Sequence, residues 1–119
     1  MKARLVFHEK RLVWSRSLNS AGMVELKVWE VPRSEEYPAG RKFSLFLVAQ
    51  GEVLIGIDNH KPKGPHLHLG KEERPFHYTD DDQLLKHFWE LVRKPGFEPW
   101  SSSVYVSQSS RWRRLRRAG

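Results

Sequence analysis

Four of the six histidines fall within the twenty residues from Asp58 to His77. His66 and His68 are spaced i, i+2, which on a strand turns both imidazoles to one face, within reach of one ion or one substrate. Asp58 and His60 repeat that spacing just upstream. Nitrogen and oxygen ligands of this kind can close a zinc, manganese or nickel site. The same residues could instead be surface side chains bonded to the loop backbone.

A metal-free reading suits them as well, and the expectation is a site with no metal and no cofactor. Cleaving an RNA phosphodiester needs a base for the 2′-hydroxyl, an acid for the leaving oxygen and a cation for the charge that develops on phosphorus. Histidine serves the first two because it titrates near neutrality. Lys61, Lys63 and Arg74 are placed to supply the third, and His77, at the loop exit, can face the same site. Asp58 and Asn59 stand at a strand end, where such residues also fold back on the backbone in Asx-turns.

The segments that must position this loop are readable from periodicity. Residues 3–14 form a long strand whose apolar parity changes near Glu9 and Lys10, predicting a bulge there. Met23 to Val31 alternates cleanly and ends at Pro32. Lys42 to Gln50 carries apolar residues on both parities, the mark of a central strand. Gly51-Glu52 turns the chain into Val53–Ile57, and the short connections imply antiparallel neighbours. Pro65–Leu69 and Pro75–Tyr78 are long enough only for edge fragments. Thr79 can cap a helix opened by three aspartates, and Leu84, Leu85, Phe88, Leu91 and Val92 fall on one helical face before Lys94-Pro95-Gly96 ends it. The expectation is an α+β domain over residues 1–100: a four- or five-stranded antiparallel meander sheet with one covering helix.

Composition bounds the function. The chain has 119 residues, a net charge of +7 and no cysteine, so disulfides and thiolate metal sites are excluded. No apolar run approaches the roughly 18 residues of a membrane helix, and no secretory signal opens the chain, so a cytoplasmic protein is expected. Five of the seven net positive charges lie on arginines in the last nine residues. Residues 101–119, Ser-rich and then Arg-rich, read as a mobile tail. There Arg113 and Arg114 could bind phosphates while Trp112 stacks on bases. A non-catalytic module gripping nucleic acid or protein through this tail, and a metal-dependent hydrolase, are the alternative functions.

The order of features resembles the TumE-like toxin family of bacterial type II toxin–antitoxin operons. The resemblance is carried by Val28-Trp29-Glu30-Val31-Pro32, by Lys42-Phe43-Ser44-Leu45, by Ile57-Asp58-Asn59-His60 and by Gly64-Pro65-His66-Leu67-His68-Leu69-Gly70. It continues in the helix from Gln83-Leu84-Leu85 to Phe88-Trp89. It implies a small toxin neutralised by a cognate antitoxin, usually a helix-turn-helix protein from the same operon, with interference with RNA as the expected activity. Asp58, Asn59, His66 and His68 lie in the matching segments and become the catalytic candidates. The extension past Pro95 departs from the family pattern.

Overall fold

The computed structural model describes residues 2–60 and 64–100. The elements run β1 (Arg4–Ser15), β2 (Ser20–Glu30), β3 (Arg41–Ala49), β4 (Glu52–Asp58), β5 (His66–Leu69), β6 (Glu72–Pro75), α1 (Asp81–Arg93) and β7 (Phe97–Pro99). All strand pairings are antiparallel, in the order β6-β5-β4-β3-β2-β1-β7. The first six strands form the meander that the short connections require. From β6, at one edge, α1 carries the chain back across the sheet to β7, which pairs with the far edge of β1.

The sheet therefore has seven strands among the described residues, not four or five. Two of the additional strands are β5, where an edge fragment is expected, and β6, which runs over Glu72–Pro75 instead of the expected Pro75–Tyr78, four residues each. The third, β7, is three residues long. It ends in Pro99, tolerable because an edge strand has a side that needs no ladder donor. So short a strand gives no periodic signal.

One face of the sheet is sealed by α1. Val24, Leu26 and Val28 of β2, Phe43, Leu45 and Leu47 of β3, and Ile55 and Ile57 of β4 are buried together with Leu84, Phe88, Leu91 and Val92 of the helix. Each such side chain contributes roughly 1.5–3 kcal/mol by leaving water. The alternate residues of the same strands lie on a face without a helix, where Lys27, Trp29, Ser44 and Phe46 are half-buried. At the β3–β4 turn, Gln50 (φ 55°) and Gly51 (φ 78°) both take positive φ, the backbone of a two-residue type I′ hairpin.

Two local expectations are corrected. The register irregularity in β1 falls between Leu5 and Phe7, not near Glu9 and Lys10. Beyond it, Phe7, Glu9, Arg11 and Val13 all stay on the helix side. The polar pair is accommodated there because Arg11 Nε meets Glu9 Oε2 at 3.1 Å and its guanidinium lies 6.0 Å from the Trp89 ring centre. The helix cap is Asp80 rather than Thr79. Asp80 is extended, directly precedes the first helical residue, and accepts from the Gln83 N–H at 2.8 Å. No helix among the described residues is long and apolar enough to cross a membrane.

Candidate functional site

Antiparallel register places Asp58 opposite His66 and Gly56 opposite His68. Ile57 and Leu67 between them are buried under the helix, so Asp58, His66 and His68 all project from the helix-free face. One ligand atom from each of the three lies within 4.8 Å of those of the other two. His66 Nε2 is 3.1 Å from Asp58 Oδ1, and His68 Nε2 is 3.7 Å from Asp58 Oδ2. The two imidazole rings meet edge to face, their centres 4.6 Å apart.

A fourth group joins from β6. Glu73 pairs with His68 across the β5–β6 hairpin, and its Oε2 lies 3.4 Å from His66 Nε2 and 4.0 Å from His68 Nε2. Sequence reasoning missed Glu73. Its signal lay in the turn: counting outward from Gly70-Lys71 pairs Leu69 with Glu72 and His68 with Glu73.

The cluster is held from behind. His66 is 8% exposed, and its Nδ1 lies 2.8 Å from the Gly64 carbonyl oxygen. A carbonyl can only accept, so Nδ1 carries a proton and Nε2 is the atom turned to the carboxylates. Asp58 Oδ1 also accepts from the His60 backbone N–H at 3.1 Å, an Asx-turn made by Asp58. Opposite His68, Gly56 has no side chain. Together with Ser44, Phe46, Val53 and Asp58 it lines a shallow hollow of about 370 Å³ beside the His68 ring.

The other sequence candidates lie elsewhere. Asn59 is 5% exposed, and its side chain is engaged by the backbone of β3: Nδ2 donates to the Arg41 carbonyl at 2.7 Å and Oδ1 accepts from the Phe43 N–H at 2.9 Å. Arg74 pairs with Leu67, which puts it on the helix side of the sheet, and its guanidinium contacts Glu72 at 3.3 Å. His77 is exposed and lines a separate cavity of about 260 Å³ with Tyr37, Phe43, Asn59 and Tyr78. His60 adds only its backbone to the cluster. Lys61, Lys63, Arg113 and Arg114 lie outside the described residues, as does the whole segment 101–119.

Further along the same open face, Trp29 lies between two lysines, with Lys42 Nζ 5.6 Å and Lys27 Nζ 5.9 Å from its ring centre. His8 Nε2 contacts Glu25 Oε2 at 2.9 Å. Burial raises the Glu25 carboxyl, but the His8 hydrogen bond and the charges of Lys27 and Lys10 outweigh it and hold the group below its usual 4.5. The helix-free face thus carries cations and an aromatic ring at β1–β3, and two imidazoles with two carboxylates at β4–β6.

No curated protein and no solved structure matches the chain. A family model described as "Toxin TumE" matches residues 3–95, which takes in every strand of the meander, the cluster and the covering helix. The chain belongs to the TumE toxin family.

Proposed function

We propose that the chain is the toxin of a type II toxin–antitoxin pair and that it acts on RNA at the Asp58–His66–His68 cluster. The observation that carries this reading is the convergence of the three side chains on the helix-free face, beside a hollow of small-ligand size. An RNA phosphodiester is anionic, and its scission needs proton transfer at two oxygens and positive charge at the phosphorus centre. His66 Nε2, His68 Nε2 and the Asp58 carboxylate are groups of the right chemistry for the proton transfers, with ligand atoms within 4.8 Å of one another.

The remainder of the face suits a single strand. A base can stack on Trp29 while Lys27 and Lys42 meet phosphates on either side, as in sheets that bind unpaired nucleic acid. The net charge of +7 favours the same partner. A cognate antitoxin, a helix-turn-helix protein, would neutralise the toxin by laying an acidic surface over these cations, which also speeds the encounter.

Induced expression tests the reading directly. Wild-type chain should arrest growth and deplete or fragment cellular RNA, and co-expression of the adjacent antitoxin gene should relieve both. The double change His66→Ala, His68→Ala should abolish arrest while the protein still accumulates folded. Arrest undiminished in that variant would sink the site assignment. If removal of residues 108–119 abolished arrest while the histidine changes did little, a non-catalytic binding module would replace the toxin nuclease.

A further inference from the structure

We infer that Asp58, His66 and His68 hold one divalent transition-metal ion of the Zn²⁺ class, with the fourth tetrahedral position open toward the Gly56 hollow and Glu73 beside it. Ligand atoms sharing a tetrahedral zinc at bonds of about 2.0–2.1 Å sit roughly 3.3–3.4 Å apart. The nitrogen–oxygen separations bracket that value: 3.1, 3.4, 3.7 and 4.0 Å. Three protein donors and one open position make up a tetrahedral shell. Two neutral imidazoles with carboxylates also form a donor set of the right softness for zinc and its neighbours, and a poor one for magnesium or calcium.

Three features outside the ligand atoms point the same way. Metal-bound histidines usually donate their second ring N–H to a backbone carbonyl or a carboxylate, which fixes the tautomer and the ring. His66 does so through Nδ1 to Gly64 at 2.8 Å. Ligating carboxylates are themselves hydrogen-bonded, as Asp58 is by the His60 N–H. Finally, the β4 neighbour of His68 is Gly56, which adds no side chain to the hollow on that side, so a water or phosphate oxygen can reach an ion there.

The use of the ion on RNA rests on the proposed function, whereas its binding does not. Bound there, the ion would take up the lone pairs of both Nε2 atoms and so stand in for their proton transfers, acting as a Lewis acid on a phosphoryl oxygen and supplying the positive charge at phosphorus.

The test uses untagged, full-length protein stripped of metal and titrated with Co²⁺, whose visible absorption reports nitrogen–oxygen coordination, and with Zn²⁺ by calorimetry. One equivalent is expected, with Zn²⁺ displacing Co²⁺. Asp58→Asn and His68→Ala should each weaken binding at least about tenfold, with unchanged circular dichroism. His8→Ala, far along the sheet, should bind as wild type. Absence of a one-equivalent site, or a site equally tight in Asp58→Asn and His68→Ala, overturns the inference and leaves a His–Asp cluster joined by protons. A tight site lost in both variants, together with RNA and growth effects that ignore metal removal, upholds the metal and overturns its use on RNA.

Discussion

The Asn59 side-chain oxygen accepts a hydrogen bond from the Phe43 N–H at 2.9 Å, stitching the residue after β4 to the opening of β3. With Nδ2 donating to the Arg41 carbonyl at 2.7 Å, both ends of the carboxamide are engaged by the backbone. Asn59 follows Asp58 directly, so the stitch fixes where the carboxylate of the cluster stands.

Asn59→Ala should therefore act first on stability. It strands the Phe43 N–H and the Arg41 carbonyl, and a buried polar group left unpaired costs about 1–3 kcal/mol. Urea denaturation should show a lower midpoint with little change in slope. An unchanged midpoint accompanied by lost growth arrest would return Asn59 to the reacting groups.

What the sequence revealed, and what it hid, follows from the range of each signal. Val24, Leu26 and Val28, or Leu84, Phe88, Leu91 and Val92, announce their buried faces because alternation and helical spacing are local. His66 and His68 share a face by the same rule. Glu73 and Arg74 could not be sorted that way. Their roles depend on β5–β6 register, which turns Glu73 toward the histidines and Arg74 toward the helix side. Asn59 becomes a candidate through the family resemblance, yet its partners are 16 and 18 residues back. The Glu9–Arg11 pair disguised the inner face of β1, since polar residues beneath a helix edge imitate a change of parity.

Tyr78 gives a pH-dependent prediction. Its hydroxyl donates to Asp81 Oδ1 at 2.7 Å, Arg41 Nε donates to Asp81 Oδ2 at 3.1 Å, and the Tyr78 ring stacks on Phe43 with centres 5.4 Å apart. Burial, then the hydrogen bond to Asp81 and its negative charge, raise the phenol well above its usual 10. A folded-state pKa above the unfolded one stabilises the fold fully below about pH 10, and that contribution is lost as pH rises through the folded value. Tyrosinate absorbance should thus show one late-titrating phenol that is absent in Tyr78→Phe. The stability difference between wild type and Tyr78→Phe should shrink as the solution becomes more alkaline than pH 10. A phenol titrating with the other tyrosines would show that the Asp81 contact does not persist in solution.

Gly96 tests the return of the chain to the far edge of the sheet. It has φ +98°, and a Cβ there would lie 2.7 Å from Ser17 Oγ and 3.0 Å from Ser15 Oγ. Those hydroxyls are not free to move aside, because both donate to the Pro95 carbonyl, at 2.8 Å from Ser15 and 3.0 Å from Ser17. Gly96→Ala therefore meets a steric conflict and a backbone conformation that side-chain-bearing residues rarely adopt, worth about 1–3 kcal/mol for the backbone alone. The expected response is local before it is global: amide exchange should quicken at Phe97 and Glu98 and at the facing residues Val13–Ser15, because β7 is held to β1 by three residue pairs. The cluster at β4–β6, at the opposite edge, should keep its metal affinity. Loss of metal binding in Gly96→Ala would show that the two edges unfold as one unit, and unchanged exchange at β7 would show that the Ser15–Pro95–Ser17 contacts do not constrain this turn.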